Sequence, residues 1–135
     1  MEVHLGCKSV TYENGETTCD VLAWNHFGTE TIPPRPVLRM AVEKVLSSEE
    51  FKKVMKAYAQ NYAMAVINNK SDLPRLEREL LRKIGSQAIA EAKRIIAAGA
   101  ELQSNAPSTI SHKKVDHPLF VDGTLMKALG YEIED

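Results

Sequence analysis

Long apolar runs are missing from this chain, and their absence excludes a helix that crosses a membrane. No stretch approaches the roughly 18 consecutive apolar residues that such a span needs. Cysteine is scarce, with two in 135 residues. Neither sits in a CxxC pair or at a metal-ligand spacing, which excludes a disulfide-dense scaffold and a structural zinc site. The seven glycines form no phosphate-cradling loop. The opening Met1–Gly6 has no basic flank and no apolar core, which predicts no secretion signal and a cytoplasmic protein.

What is present is ordinary in amount and uneven in placement. Apolar residues make up 44% and charged residues 26%, values typical of a globular protein. The length predicts one domain over 1–135 with a single core. Residues 1–34 hold one Lys against five acids, or −4; residues 35–100 hold thirteen Lys and Arg against seven acids, or +6; residues 101–135 hold three Lys against six acids, or −3. A basic middle between acidic ends suits head-to-tail contact between copies, and it equally describes solvated helix faces.

The first element read from the chain is a hairpin over 2–12 and 17–25, because Glu13-Asn14-Gly15-Glu16 is a type I′ turn signal. A two-residue loop sets Cys7 opposite Leu22 and Val10 opposite Cys19. The cysteines then face opposite sides of the ribbon, which predicts two small buried residues and no disulfide. Such a ribbon is also an edge donor for intersubunit sheets. Proline excludes Ile32–Pro36 from a helix interior, while Pro36 fits a first helical position. Apolar periodicity then predicts helices over Pro36–Leu46, Glu49–Ile67 and from a Ser71 or Asp72 cap to Ala97 or Ala98. Gly85 inside the last of these costs about 1 kcal/mol against alanine, so it marks a close contact with a helix or strand. Residues 100–123 read as a long loop, mobile until docked. A helical turn over Leu125–Leu129 and a strand over Tyr131–Glu134 close the chain. The expected class is α+β: a small antiparallel sheet, N-terminal β-hairpin plus C-terminal strand, packed against two or three helices.

No constellation of reactive groups holds together. His112, Asp116 and His117 lie within six residues, but a metal site needs about three or four converging ligands with supporting groups, and no further partner appears. Asp122-Gly123-Thr124 is common turn chemistry, Ser108 and Ser111 have no adjacent base, and His26 reads as a packed turn histidine. The chain is therefore expected to have no catalytic residue, no metal and no cofactor, and not to be an enzyme. Arg75, Arg78, Arg82, Lys83, Lys93 and Arg94 raise nucleic-acid binding as an alternative. Glu77 and Glu79 are spaced to pair with those arginines, and a pI near 6.4 argues against a dedicated binder.

One stretch behaves as a unit: His26-Phe27-Gly28-Thr29-Glu30-Thr31-Ile32-Pro33-Pro34-Arg35-Pro36-Val37-Leu38-Arg39. It resembles a signature of bacteriophage neck proteins, the tail-completion or head–tail joining family also called virion morphogenesis proteins. Ile84-Gly85-Ser86-Gln87-Ala88 with Ala92–Gly99, and then Asn105-Ala106-Pro107-Ser108-Thr109-Ile110 with Lys113 and Pro118–Leu125, resemble further motifs of that family in the same order. Tyr131-Glu132-Ile133 is similar to its closing strand. The resemblance implies a structural virion protein that joins head to tail by assembling into a homo-oligomeric ring. It would contact neighbouring connector or tail proteins, with non-specific contact to passing DNA and no membrane. It would reside in the virion, and in the host cytoplasm during assembly. On that reading Trp24, Phe27, Arg35 and Arg39 form one side of the interface. Asn105, Thr109, Lys113 and Phe120 dock the adjoining protein.

Overall fold

Thr17 turns the chain into a helix where the alternating pattern predicts a second strand. Its hydroxyl accepts a hydrogen bond from the Asp20 amide at 3.2 Å, the reciprocal of an exposed helix start and an N-cap residue. The computed structural model describes residues 1–13, 15–30, 34, 36–98 and 124–135. In chain order these form β1 (Glu2–Cys7), α1 (Thr18–Phe27), α2 (Val37–Ser47), α3 (Glu49–Asn68), a short 3₁₀ turn (Lys70–Asp72), α4 (Leu73–Ala98), α5 (Thr124–Ala128) and β2 (Leu129–Glu134).

The class is α+β, as expected, but the sheet is built differently. β1 pairs antiparallel with β2, from Glu2 opposite Glu134 to Cys7 opposite Leu129. The expected N-terminal hairpin is absent. Of its ladder only a bridge between Thr11 and Thr17 remains, closed by the Tyr12 amide donating to the Glu16 carbonyl at 2.7 Å. The C-terminal strand is where it was expected, and it takes the place next to β1 that the hairpin would have filled.

The three central helices follow their sequence signals closely. Ser48 ends α2 and caps α3, its hydroxyl accepting from the Phe51 amide at 3.1 Å, with Glu49 and Glu50 in the new first turn. Acids there complement the helix dipole. Pro36 is the N-cap of α2 and not its first helical residue. The turn before α4 is set by Asn69, whose side chain accepts from the Ser71 amide at 3.2 Å, in place of a Ser71 or Asp72 cap.

The core lies where α2 crosses the C-terminal half of α4. Val37, Ala41, Ile89, Ala92, Ile95 and Ile96 meet Leu125 and Leu129 there, with Val21 and Leu22 of α1 and Leu5 and Cys7 of β1 packed around them. Ile95 and Ile96 are both fully buried although adjacent. Neighbours on a helix point about 100° apart, so α4 is covered on two sides at this level. Small residues on α4, Ala88 and Ala92, let the partners approach.

Thr18 shows how α1 is tied down. It is fully buried; its hydroxyl donates to the Lys8 carbonyl and accepts from the Val10 amide at 3.0 Å. Thr18→Val keeps the shape and strips both partners, so it should cost about 1–3 kcal/mol in urea unfolding, while Thr18→Ser should cost less. Equal losses for the two variants would mean that the methyl group, and not the hydroxyl, is what matters.

Candidate functional site

Helix α1 ends at a glycine that aims its last residue outward. Gly28 takes φ +78°, a conformation that glycine adopts without penalty, and its amide donates to the Trp24 carbonyl at 2.8 Å. Phe27, one residue earlier, is 77% exposed and Trp24 is 38% exposed. The His26 ring meets Phe27 edge-on, with centroids 4.7 Å apart, which steadies the phenyl group without covering it. Trp24 and Phe27 are three residues apart and so share one side of the helix. Arg39 is exposed on α2, a separate element. Arg35, Asn105, Thr109, Lys113 and Phe120 lie outside the described residues, as do His112, Asp116 and His117.

A second apolar surface was not expected. Phe51, Val54, Met55, Tyr58, Tyr62, Ala65 and Val66 stand at helical spacing on α3. Only Ala65 among the helix's twenty residues is buried, and Met55, Tyr62, Met64, Val66 and Ile67 are exposed, Ile67 by 78%. The reason is geometric. α3 meets α4, α2 and the 3₁₀ turn, and among the described residues these contacts leave the side that carries Ile67 uncovered. Tyr58 and Tyr62 stack loosely at 5.8 Å. Burial, then the Glu77 carboxylate, then Tyr62 raise the Tyr58 phenol above its ordinary value.

The sheet itself is open. Among the described residues the sheet has two strands, so β1 and β2 each present one edge that no described strand pairs, the feature that lets a further strand add. A groove of about 510 Å³ runs along them, with Lys8 and Lys127 at one end and His4 and Glu132 at the other. Gly6 faces Gly130 across the ladder, so no side chain interrupts its middle. The pairing of the two chain ends also collects Glu2, His4 and Glu134. His4 Nε2 stands 3.2 Å from Glu2 and 2.9 Å from Glu134. All three are exposed, so the cluster reads as a surface contact between side chains.

Three of the basic residues on α4 are paired with acids. Arg75 meets Glu79 at 3.0 Å and Arg94 meets Glu91 at 2.6 Å, and Arg78 pairs with Asp135 at the chain's end. Arg75 and Glu79 use the spacing that the interleaved acids predict, and Arg78 instead finds its acid 57 residues away.

The cysteines overturn the reading made from the hairpin register. Cys7 donates to Cys19 with the sulfurs 3.4 Å apart, and Cys19 donates to the Cys7 carbonyl at 3.4 Å. Because 17–25 is helix and not strand, the rule of alternating faces does not apply. Cys7 is half-buried and Cys19 exposed, so neither is the small buried residue expected. Burial, reinforced by the Cys19 contact and partly opposed by Thr18, pushes the Cys7 thiol up to about 11.

Among the described residues no helix is long and apolar enough to cross a membrane. No protein-family model, curated protein or solved structure matches this chain.

Proposed function

We propose that this chain is a structural protein of a tailed-phage neck or tail end, joining head to tail by assembling into a ring. The reading comes from the motif order in the sequence, not from any whole-chain match. The observation that carries it is Phe27, the aromatic residue that opens the signature stretch, standing 77% exposed at a capped helix end. An exposed aromatic side chain beside a second one is a surface built to be covered. Among the described residues, the sheet edges of β1 and β2 and the exposed side of α3 supply further area for contact between copies and with neighbouring connector or tail proteins. A head-to-tail contact of this kind closes into a ring when its rotation permits. Binding of DNA through the basic middle is the weaker reading, because the helix cations Arg75, Arg78 and Arg94 are committed to acids.

A nonsense mutation in the gene, followed by electron microscopy of the lysate, tests the proposal. Filled heads beside finished, unattached tails are expected, and normal joined particles would end the structural reading. Phe27→Ser should leave the melting temperature of the isolated chain nearly unchanged. It should lower the yield of joined particles at least about tenfold, as loss of a central aromatic anchor does.

A further inference from the structure

Cys7 and Cys19 are placed together by the backbone on both sides of the pair. Thr18, immediately before Cys19, is fully buried and holds the Lys8 carbonyl and the Val10 amide, 3.0 Å away, through its hydroxyl. The Thr18 amide donates to the Val10 carbonyl at 2.9 Å. The chain just after Cys7 is thus clamped to the first turn of α1. The sulfurs face each other at 3.4 Å, and closing to a bond of about 2.05 Å asks for side-chain rotation and little more. Cys19 is exposed and Cys7 half-buried, so one thiol can meet a reagent while the other waits behind it.

We propose that Cys7 and Cys19 form a reversible intrachain disulfide site, oxidised by exchange with a small-molecule disulfide of the glutathione type. In the first step the Cys19 sulfur attacks one sulfur of the reagent. A Cys19–glutathione bond forms, the reagent's disulfide breaks, and the departing thiolate takes up the proton as glutathione. In the second step the Cys7 sulfur attacks Cys19, displacing the second glutathione, which carries off the Cys7 proton. Two protein thiols are oxidised, and one disulfide reagent is reduced to two thiols. Cys19, the exposed thiol, makes the first attack, and burial pushes the Cys7 thiol up to about 11, which makes the second step faster as pH rises. The bond would tie the end of β1 to the start of α1, the helix that carries Trp24 and Phe27. The proposal stands on the thiol geometry and is independent of the assembly reading.

The test treats the reduced full chain with oxidised glutathione and follows intact mass against time, in buffer and in concentrated urea. The expected product has lost two hydrogens, retains no glutathione and reverts with a dithiol reductant. It should form at least about tenfold faster in the folded chain than in urea, since the fold holds the partners together. In Cys7→Ser a glutathione adduct should accumulate on Cys19 and persist. Equal closure rates with and without urea would overturn the proposal. So would a lasting glutathione adduct on the wild-type chain, a disulfide-linked dimer, or no reaction.

Discussion

Ile95→Ala should remove about 2–5 kcal/mol of stability, among the largest single losses expected at the described residues. Ile95 is fully buried where α2, α4, α5 and β2 meet, and Ala92 and Ala88, one and two turns before it on α4, are too short to swing in and fill the space. The void would therefore persist, and a persistent void adds its own cost to the lost transfer energy. Against a total stability of roughly 5–15 kcal/mol, such a loss would bring the domain near its unfolding midpoint at modest urea concentrations. Ile67→Ala is the matched control. The same atoms are removed, but Ile67 is 78% exposed, so the change should stay within about 0.5 kcal/mol. Urea unfolding of both variants checks the pair. Similar losses at the two sites would mean that α3 is covered and that the core is not centred on the end of α4.

Gly85→Ala should destabilise the protein, although alanine is the better helix former. A Cβ at Gly85 would stand 2.6 Å from both Cγ and Cδ2 of Tyr131 and 3.2 Å from its Cβ. The near atoms are the root of the ring, so relief requires that β2 or α4 move, and strain of that kind costs about 1–3 kcal/mol. The gain in helix propensity is at most about 1 kcal/mol, so the clash wins. A double-mutant cycle with Tyr131→Ala gives the decisive measurement. Without the ring, Gly85→Ala should become neutral or stabilising, with a coupling of about 1–3 kcal/mol between the sites. If Gly85→Ala remains equally costly in that background, the ring is not the reason for the glycine. The sequence alone indicates that Gly85 permits a close approach. It does not say that the partner is the last strand and not another helix.

Legibility differed between elements for reasons that can be named. Helices α2, α3 and α4 carry apolar residues at helical spacing with proline, serine or asparagine at or just before their starts, and their bounds follow the sequence to within a residue or two. α1 carries no such stripe. The residues it buries are Thr18 and Asn25, both polar and both satisfied: Asn25 Nδ2 donates to the Val21 carbonyl at 2.8 Å. Periodicity of apolar residues is blind to a helix anchored in this way. The signals that could have found it are Thr17 with Asp20 three residues on, and Gly28 just past the end, which bracket a ten-residue helix. The Asn-Gly turn signal outweighed them.

The candidate surface was legible only in part. Phe27 was singled out from its motif, and its exposure is what an interface residue requires. Trp24 and Arg39 are also at the surface, and so is much of the apolar side of α3. Amphipathic spacing reports that a face is suited to burial. It does not report whether this chain supplies the element that covers it.

The sequence by itself determined the helical middle, the α+β class, the closing strand and the glycine at a close contact, because each depends on neighbours within a few turns or on the absence of a side chain. Tertiary structure decided the rest. β1 takes its partner from the far end of the chain, a pairing that no local turn encodes. Once that partner displaced the hairpin, residues 18–27 were free to coil. Coiling exposed Phe27 and brought Cys7 and Cys19 within 3.4 Å of each other.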